Sequence, residues 1–371
     1  MLLAAFIEPK VVRKEEDLVI FQAVPAYTPF LVISSLPINP GGLQRLVILT
    51  PENKMFVRNA LAVTGLLAAL TQAAPDEGRA SGHKLTVYWG AEDDTTTLDD
   101  VCNDSSYDVV NLAFLSHFFS AGGYPKMSIG NLDGPSQAQK KAGATGLQDG
   151  SSLVKSIKNC QSKGKPVILS MGGATDYSDV QLNSDAQGQQ IANTVWNLFL
   201  GGTDHKELRP FGDVKLDGVD LDNETNDGTG YLAMTKQFKA NFQKDTSKKY
   251  YITAAPQCPY PDQSEPLDVC QLLDWVQVQF YNNGNCNIAQ RGFAKAVKNW
   301  SKGIGSGVQL YIGALASGAD GDEGYVDAAT LNRAVNQVKA MNLPNFGGAM
   351  LWEAQLAVKN GNYQKKIKAN L

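Results

Sequence analysis

From about residue 84 the chain alternates short apolar runs with longer stretches whose apolar residues recur at helical spacing. The short runs predict strands at KLTVYWG (84–90), YDVVNLAFL (107–115), KPVILSMGG (165–173), LDGVDLDNE (216–224), YYITAAPQ (250–257), WVQVQFYNN (275–283), VQLYIGALA (308–316) and FGGAMLWE (346–353). Between them SSLVKSIKNCQSKG, QIANTVWNLFLGG, YLAMTKQFKANFQKDTS, AKAVKNWSKG and AATLNRAVNQVKAM read as amphipathic helices. Parallel strands joined by helical crossovers either close or remain an open sheet. Eight such units in the C-terminal 290 or so residues predict an α/β fold, a (β/α)8 TIM barrel forming a single catalytic domain. An open doubly wound sheet is the alternative. It is weakened because YWGAEDD, not a Gly-rich phosphate loop, follows the first strand.

The run LDGVDLDNE places Asp220, Asp222 and Glu224 at i, i+2 and i+4. On a strand, alternation sends all three carboxyls to one face and Val219 and Leu221 to the other. Crowding acids this way costs several kcal/mol per ion in desolvation, and mutual repulsion adds to it. Such a column persists where chemistry uses it. In a barrel, catalysis sits at the C-terminal strand ends, where Tyr88, Trp89, Phe114, Ser170, Gln257, Gln279, Tyr281, Trp352 and Glu353 also fall. A general acid at neutral pH needs a raised pKa, and a carboxylate one step along the same face provides it by like-charge repulsion. Asp217 has the opposite parity and is expected to be structural. Ser170 lacks a GxSxG setting and a suitably placed His, so it reads as a turn residue rather than a nucleophile.

Composition narrows the remaining classes. A net charge of −4, a pI near 5.5 and no Lys/Arg run argue against nucleic-acid binding. Three His and no CxxC argue against a zinc site, so no metal and no cofactor are expected. Among five Cys, the pairs Cys102–Cys160 and Cys258–Cys286 are expected as disulfides with Cys270 left over, although sequence leaves connectivity open. Residues 55–73, from MFVRNALAV onward, have the basic, apolar and small-residue layout of a signal peptide, with cleavage near Ala73. Residues 1–54 form an N-terminal extension, read either as preceding a true start at Met55 or as a genuine extension with an internal anchor. Residues 74–83 read as a linker and 84–371 as the barrel. The apolar stretch is too short for a comfortable span, so a secreted, extracellular protein without stable membrane association is expected, with a monomer as the default.

SMGG, DGVDLDNE, APQCPYPD, QFYNN and GGAMLWE, with YWG and NLAFL, occur in order along residues 84–371. Together they resemble glycoside hydrolase family 18, most of all its class III (hevamine-type) chitinases and their fungal relatives. The resemblance implies a retaining endochitinase acting on chitin or chitooligosaccharides, with the substrate's own acetamido group as nucleophile, outside the two-carboxylate scheme. It implies Glu224 as general acid and base, and Asp222 as holder of the acetamido N–H. Asp220 would share a proton or charge with Asp222, and Tyr281 would bond the acetamido carbonyl. It further implies a cleft lined by Tyr88, Phe114, Asn131, Ala174, Ala255, Gln257, Gln279 and Trp352. Asn223 stands where many relatives are apolar and is expected to affect packing rather than chemistry. Alternatives on the same barrel are an endo-β-N-acetylglucosaminidase acting on N-glycans, and a non-catalytic lectin or inhibitor.

Overall fold

The computed structural model describes residues 82–371 apart from Asp93, Asp94 and Asp320, together with five short strand segments nearer the N-terminus. Those segments pair among themselves: Lys14–Glu15 with Leu18–Val19, and Phe30–Val32 with Val47–Leu49 and Met55–Phe56, all antiparallel. The expected signal segment 55–73 lies outside the described residues beyond Phe56, as do the expected linker through 81 and most of the extension.

Over residues 84–352 the predicted alternation becomes a closed barrel. Its strands are β1 (Lys84–Trp89), β2 (Val109–His117), β3 (Val167–Gly172), β4 (Gly218–Asp222), β5 (Tyr251–Ala254), β6 (Trp275–Gln279), β7 (Gln309–Leu315) and β8 (Phe346–Trp352). Each pairs in parallel with its sequence neighbours, and β8 returns to β1 to close the ring. A two-residue strand, Lys126–Met127, adds antiparallel to β2. Helices Val154–Ser162, Asp185–Phe199, Tyr231–Phe242, Phe293–Ile304 and Ala328–Ala340 follow β2, β3, β4, β6 and β7. Side-chain caps start two of them: Ser184 accepts from Gln187 N, and Asp327 from Thr330 N. Five short helices among the described residues escaped the sequence reading: Leu98–Asn103, Gln137–Lys141, Leu267–Cys270, Ala354–Lys359 and Tyr363–Lys368. None exceeds six residues, too few for periodicity to register.

Strand alternation builds the barrel interior in layers. Val109, Ile168, Trp275 and Tyr311 form an apolar floor at the N-terminal end. Two residues further along the same strands come buried polar groups: Asn111, Ser170 and Gln277, joined by Thr86, Asp220 and Thr253. A further step brings Tyr88, Ala113 and Ala255, and beyond them Tyr281, with Phe114 and Trp352 packed against the group. The outward residues, such as Val219, Leu221, Ile252 and Val278, belong to the large core between barrel and helices. Asp217 accepts from Val167 N at 2.8 Å and pairs with Lys248 at 2.6 Å, tying strand entries together as its parity predicted.

Both expected disulfides form, and Cys270 is free and buried. Cys102–Cys160 joins two outer helices across 58 residues of sequence. Replacing both cysteines by Ala is expected to cost about 4 kcal/mol on the chain-entropy estimate, read as a lower urea midpoint with an unchanged far-UV spectrum. No described helix is long and apolar enough to cross a membrane.

Candidate active site

Strand β4 delivers the acid column as alternation requires. Asp220 lies deepest, fully buried, and its register neighbours are Ser170 on β3 and Thr253 on β5. Side chains opposite one another on adjacent strands share a face, so both hydroxyls reach it. Ser170 Oγ donates at 2.8 Å and Thr253 Oγ1 at 2.5 Å, while Tyr88 Oη donates at 2.7 Å and Gln277 Nε2 at 3.0 Å. Burial pushes the Asp220 carboxyl upward, and these four donors oppose that push. Ser170 therefore has a role in the acid column, beyond the turn its motif suggested. Gln277 is in turn fixed by Thr86 at 2.5 Å and Asn111 at 3.2 Å.

One step up, Asp222 is almost fully buried, and Glu224 follows two residues past it, half-buried at the cavity. A single amide bridges them. Gln279 Nε2 donates to Asp222 Oδ1 at 3.0 Å, to Glu224 Oε1 at 3.1 Å and to Ala255 O at 2.9 Å. Burial foremost, then the charges of Glu224 and Asp220, hold the Asp222 carboxyl well above the usual range. Burial also raises Glu224, with Asp262 and Asp322 adding to the effect. Desolvation thus leads for both groups, ahead of the like-charge repulsion that the sequence put first. Two carboxyls this close titrate as a unit. The pair keeps a proton at pH values where a solvated glutamate has lost it.

Close approach of the backbone makes room for this column. Gly172, the first glycine of SMGG, has φ 128°, and a Cβ there would sit 2.0 Å from Asp222 O. The acids open into a cavity of about 120 Å³ lined by Tyr88, Phe114, Ala174, Ala255, Gln279, Tyr281 and Trp352 together with Asp222 and Glu224. Trp352 lies 5.4 Å from Tyr88 and nearly parallel to Phe114 at 5.7 Å between ring centroids. These rings give the cavity a rigid aromatic wall suited to the apolar face of a sugar. Two expected residues lie outside the lining: Asn131 is exposed in the loop after the Lys126–Met127 strand, and Gln257 binds Asp262 through its backbone N at 2.5 Å. Gly173, Asn282 and Asp322 complete the lining. Asn282 sits within the QFYNN motif, whereas Asp322 comes from a loop without a strand pattern, so nothing in the sequence marked it. A larger hollow of about 330 Å³ runs along the helix Asp185–Phe199 near Tyr124 and His205, away from the acid column. No cluster of described residues is arranged to hold a metal ion.

Behind the column sits an acid the sequence did not single out. Glu265, fully buried, accepts from Asn223 N at 3.2 Å, and its second oxygen has no protein partner. Asn223 also donates to Ser264 O at 2.7 Å and Asp227 O at 2.9 Å, so its side chain serves packing of the strand end. Burial, then the charge of Asp262, drives Glu265 well above the usual range. Asp220, Asp222, Glu224, Asp262 and Glu265 are thus all raised in the folded state. A raised carboxyl stabilises the fold below its unfolded pKa, and that contribution is lost as pH rises through the folded value. His83, lowered by burial, acts in the opposite sense but is a single group. Tm is therefore expected to fall as pH rises above the ordinary carboxylate range, and Glu265→Gln is expected to flatten that slope in a thermal-denaturation series.

Residues 84–357 match the glycosyl hydrolases family 18. The chain is 93% identical over 317 residues to Endochitinase 3 of Metarhizium robertsii, covering 85% of this chain and 100% of that protein. Among solved structures it is similar to a chitinase from Ipomoea carnea, with TM-score 0.65, 28% identity and coverage of 78% of this chain and 100% of the other. A xylanase and α-amylase inhibitor protein from Scadoxus multiflorus fits as well, at TM-score 0.65 and 28% identity over 78% of this chain and 98% of the other. The closed barrel, the ordered motifs and these matches agree: the chain belongs to glycosyl hydrolase family 18.

Proposed function

We propose that the chain is an endochitinase that cuts β-1,4-linked N-acetylglucosamine polymers with retention of configuration. The observation that carries this reading is the Gln279-bridged pair of Asp222 and Glu224 at the mouth of the aromatic cavity. Glu224 is the outermost acid of the column, and burial raises its carboxyl, which suits a donor to the glycosidic oxygen. Asp222, one step deeper, is placed to accept the N–H of the substrate's acetamido group. That contact turns the acetamido carbonyl oxygen toward the anomeric carbon, where it displaces the leaving sugar and forms an oxazolinium intermediate. Tyr281, on the cavity wall, donates to the same carbonyl. Water then attacks the anomeric carbon, with Glu224 taking its proton. Asp220 has no direct hydrogen bond to Asp222 among those of the described residues; it acts through its charge and keeps the column in register.

Two disulfides suit an oxidising compartment and support secretion. The likeness to an inhibitor protein supports a second reading, a non-catalytic carbohydrate- or protein-binding barrel. Incubating purified protein with chitotetraose and with a high-mannose glycopeptide, beside a Glu224→Gln control, separates these. Cleavage of chitotetraose alone is expected. Cleavage of the glycopeptide instead would indicate an endo-β-N-acetylglucosaminidase, and cleavage of neither would favour the binding protein.

A further inference from the structure

The loop after β7 brings a third carboxyl into the cavity. Asn282, just past the end of β6, holds this loop at three points. Its Nδ2 donates to Asp322 Oδ1 at 3.1 Å, its backbone N donates to Glu323 O at 2.7 Å, and Glu323 N donates to its Oδ1 at 2.8 Å. Gly324, at φ 101°, packs so tightly that a Cβ would lie 3.1 Å from Tyr281 Cα and 2.8 Å from Asn287 Nδ2. The loop is therefore fastened to the segment that carries Tyr281, and Asp322 has a set place on the cavity wall. Its charge reaches both Glu224 and Tyr281. Among the described residues no Lys, Arg or His lines the cavity to pair with it.

A carboxylate on the wall of such a sugar-binding cavity discriminates by charge. A neutral acetamido group gains little from it, whereas an ammonium group on the sugar ring gains a charge-assisted contact. The sugar whose bond is cut must keep its acetyl group, because that carbonyl is the nucleophile. The neighbouring sugar carries no such requirement. We propose that Asp322 is a specificity-determining residue that selects a free-amine glucosamine unit next to the cleaved N-acetylglucosamine, so that partially deacetylated chitin is the preferred substrate. The inference rests on the function proposed above and names the substrate class of that same site.

The test compares parent protein, Asp322→Asn and Glu323→Gln on two substrates, chitotetraose and half-acetylated chitosan oligomers, in mildly acidic buffer at low salt. Asn keeps an oxygen for Asn282, so loop docking survives while the charge is lost; melting temperatures check this. The readout is the ratio of kcat/KM for the chitosan oligomers to that for chitotetraose. In the parent this ratio is expected to exceed one and to shrink as salt is raised. Asp322→Asn is expected to lower it about fivefold, the scale of one partly exposed ion pair, whereas Glu323→Gln keeps the parental ratio. Mass-spectrometric sequencing of parental products is expected to find N-acetylglucosamine at new reducing ends and glucosamine enriched beside the cleaved bond. An Asp322→Asn ratio equal to the parent's, with chitotetraose still cleaved, overturns this proposal alone. Failure of the parent to cleave either substrate overturns the hydrolase reading and this proposal with it.

Discussion

Glu224→Gln is expected to lower kcat on chitotetraose by about a hundred- to ten-thousandfold, the usual worth of a positioned general acid. The fold should survive. Gln keeps an oxygen where Glu224 Oε1 accepts from Gln279 Nε2, and the side chain is only half-buried at the cavity, so repacking is slight. Substrate binding should change far less than turnover, because the aromatic wall of Tyr88, Phe114 and Trp352 is untouched. Steady-state kinetics with a melting curve on the same preparation make the comparison. A variant as active as the parent would show that another group donates the proton.

Asp222→Asn is the second large effect. Asn keeps an acceptor for Gln279, but it loses the charge that orients and stabilises the acetamido group as positive charge develops on it. A loss of about a hundred- to thousandfold in kcat is expected, the scale seen when one preorganised electrostatic partner of a transition state is removed. A second readout distinguishes this role from a structural one. The two carboxyls titrate together, so replacing Asp222 removes the repulsion that holds the pair's last proton, and Glu224 then ionises at lower pH than the pair did. The alkaline limb of the residual pH–rate profile should therefore move to lower pH, while the melting temperature at pH 5 or so stays near the parental value. An insoluble or collapsed variant would instead assign Asp222 a structural role.

The features that obey strand periodicity were readable in advance. Alternation places Gly218, Asp220 and Asp222 inside and Val219 and Leu221 outside, and the same rule orders Val109, Asn111 and Ala113 along β2. The barrel and the acid column follow from it. Contacts set by register between strands were not readable. Ser170 and Thr253 meet Asp220 only because β3 and β5 align with β4 at those positions, and no spacing within one strand encodes that. Loops were harder still. Asp322 reaches the cavity through the docking of its loop on Asn282, a contact made across 40 residues of sequence. Glu265 sits in a Pro- and Ser-containing segment whose composition suggests solvent, yet it is fully buried behind Asn223. Burial of a charged residue is a property of the assembled fold, and it leaves no mark on local pattern.

The central claim is that Glu224 donates the proton while the substrate's own acetamido group, held by Asp222, attacks the anomeric carbon. Time-resolved proton NMR of chitotetraose hydrolysis tests it most directly, read before mutarotation scrambles the products. New reducing ends appearing first as the β-anomer are the predicted result. New ends appearing first as the α-anomer would mean direct attack by water from the opposite face, and would contradict it.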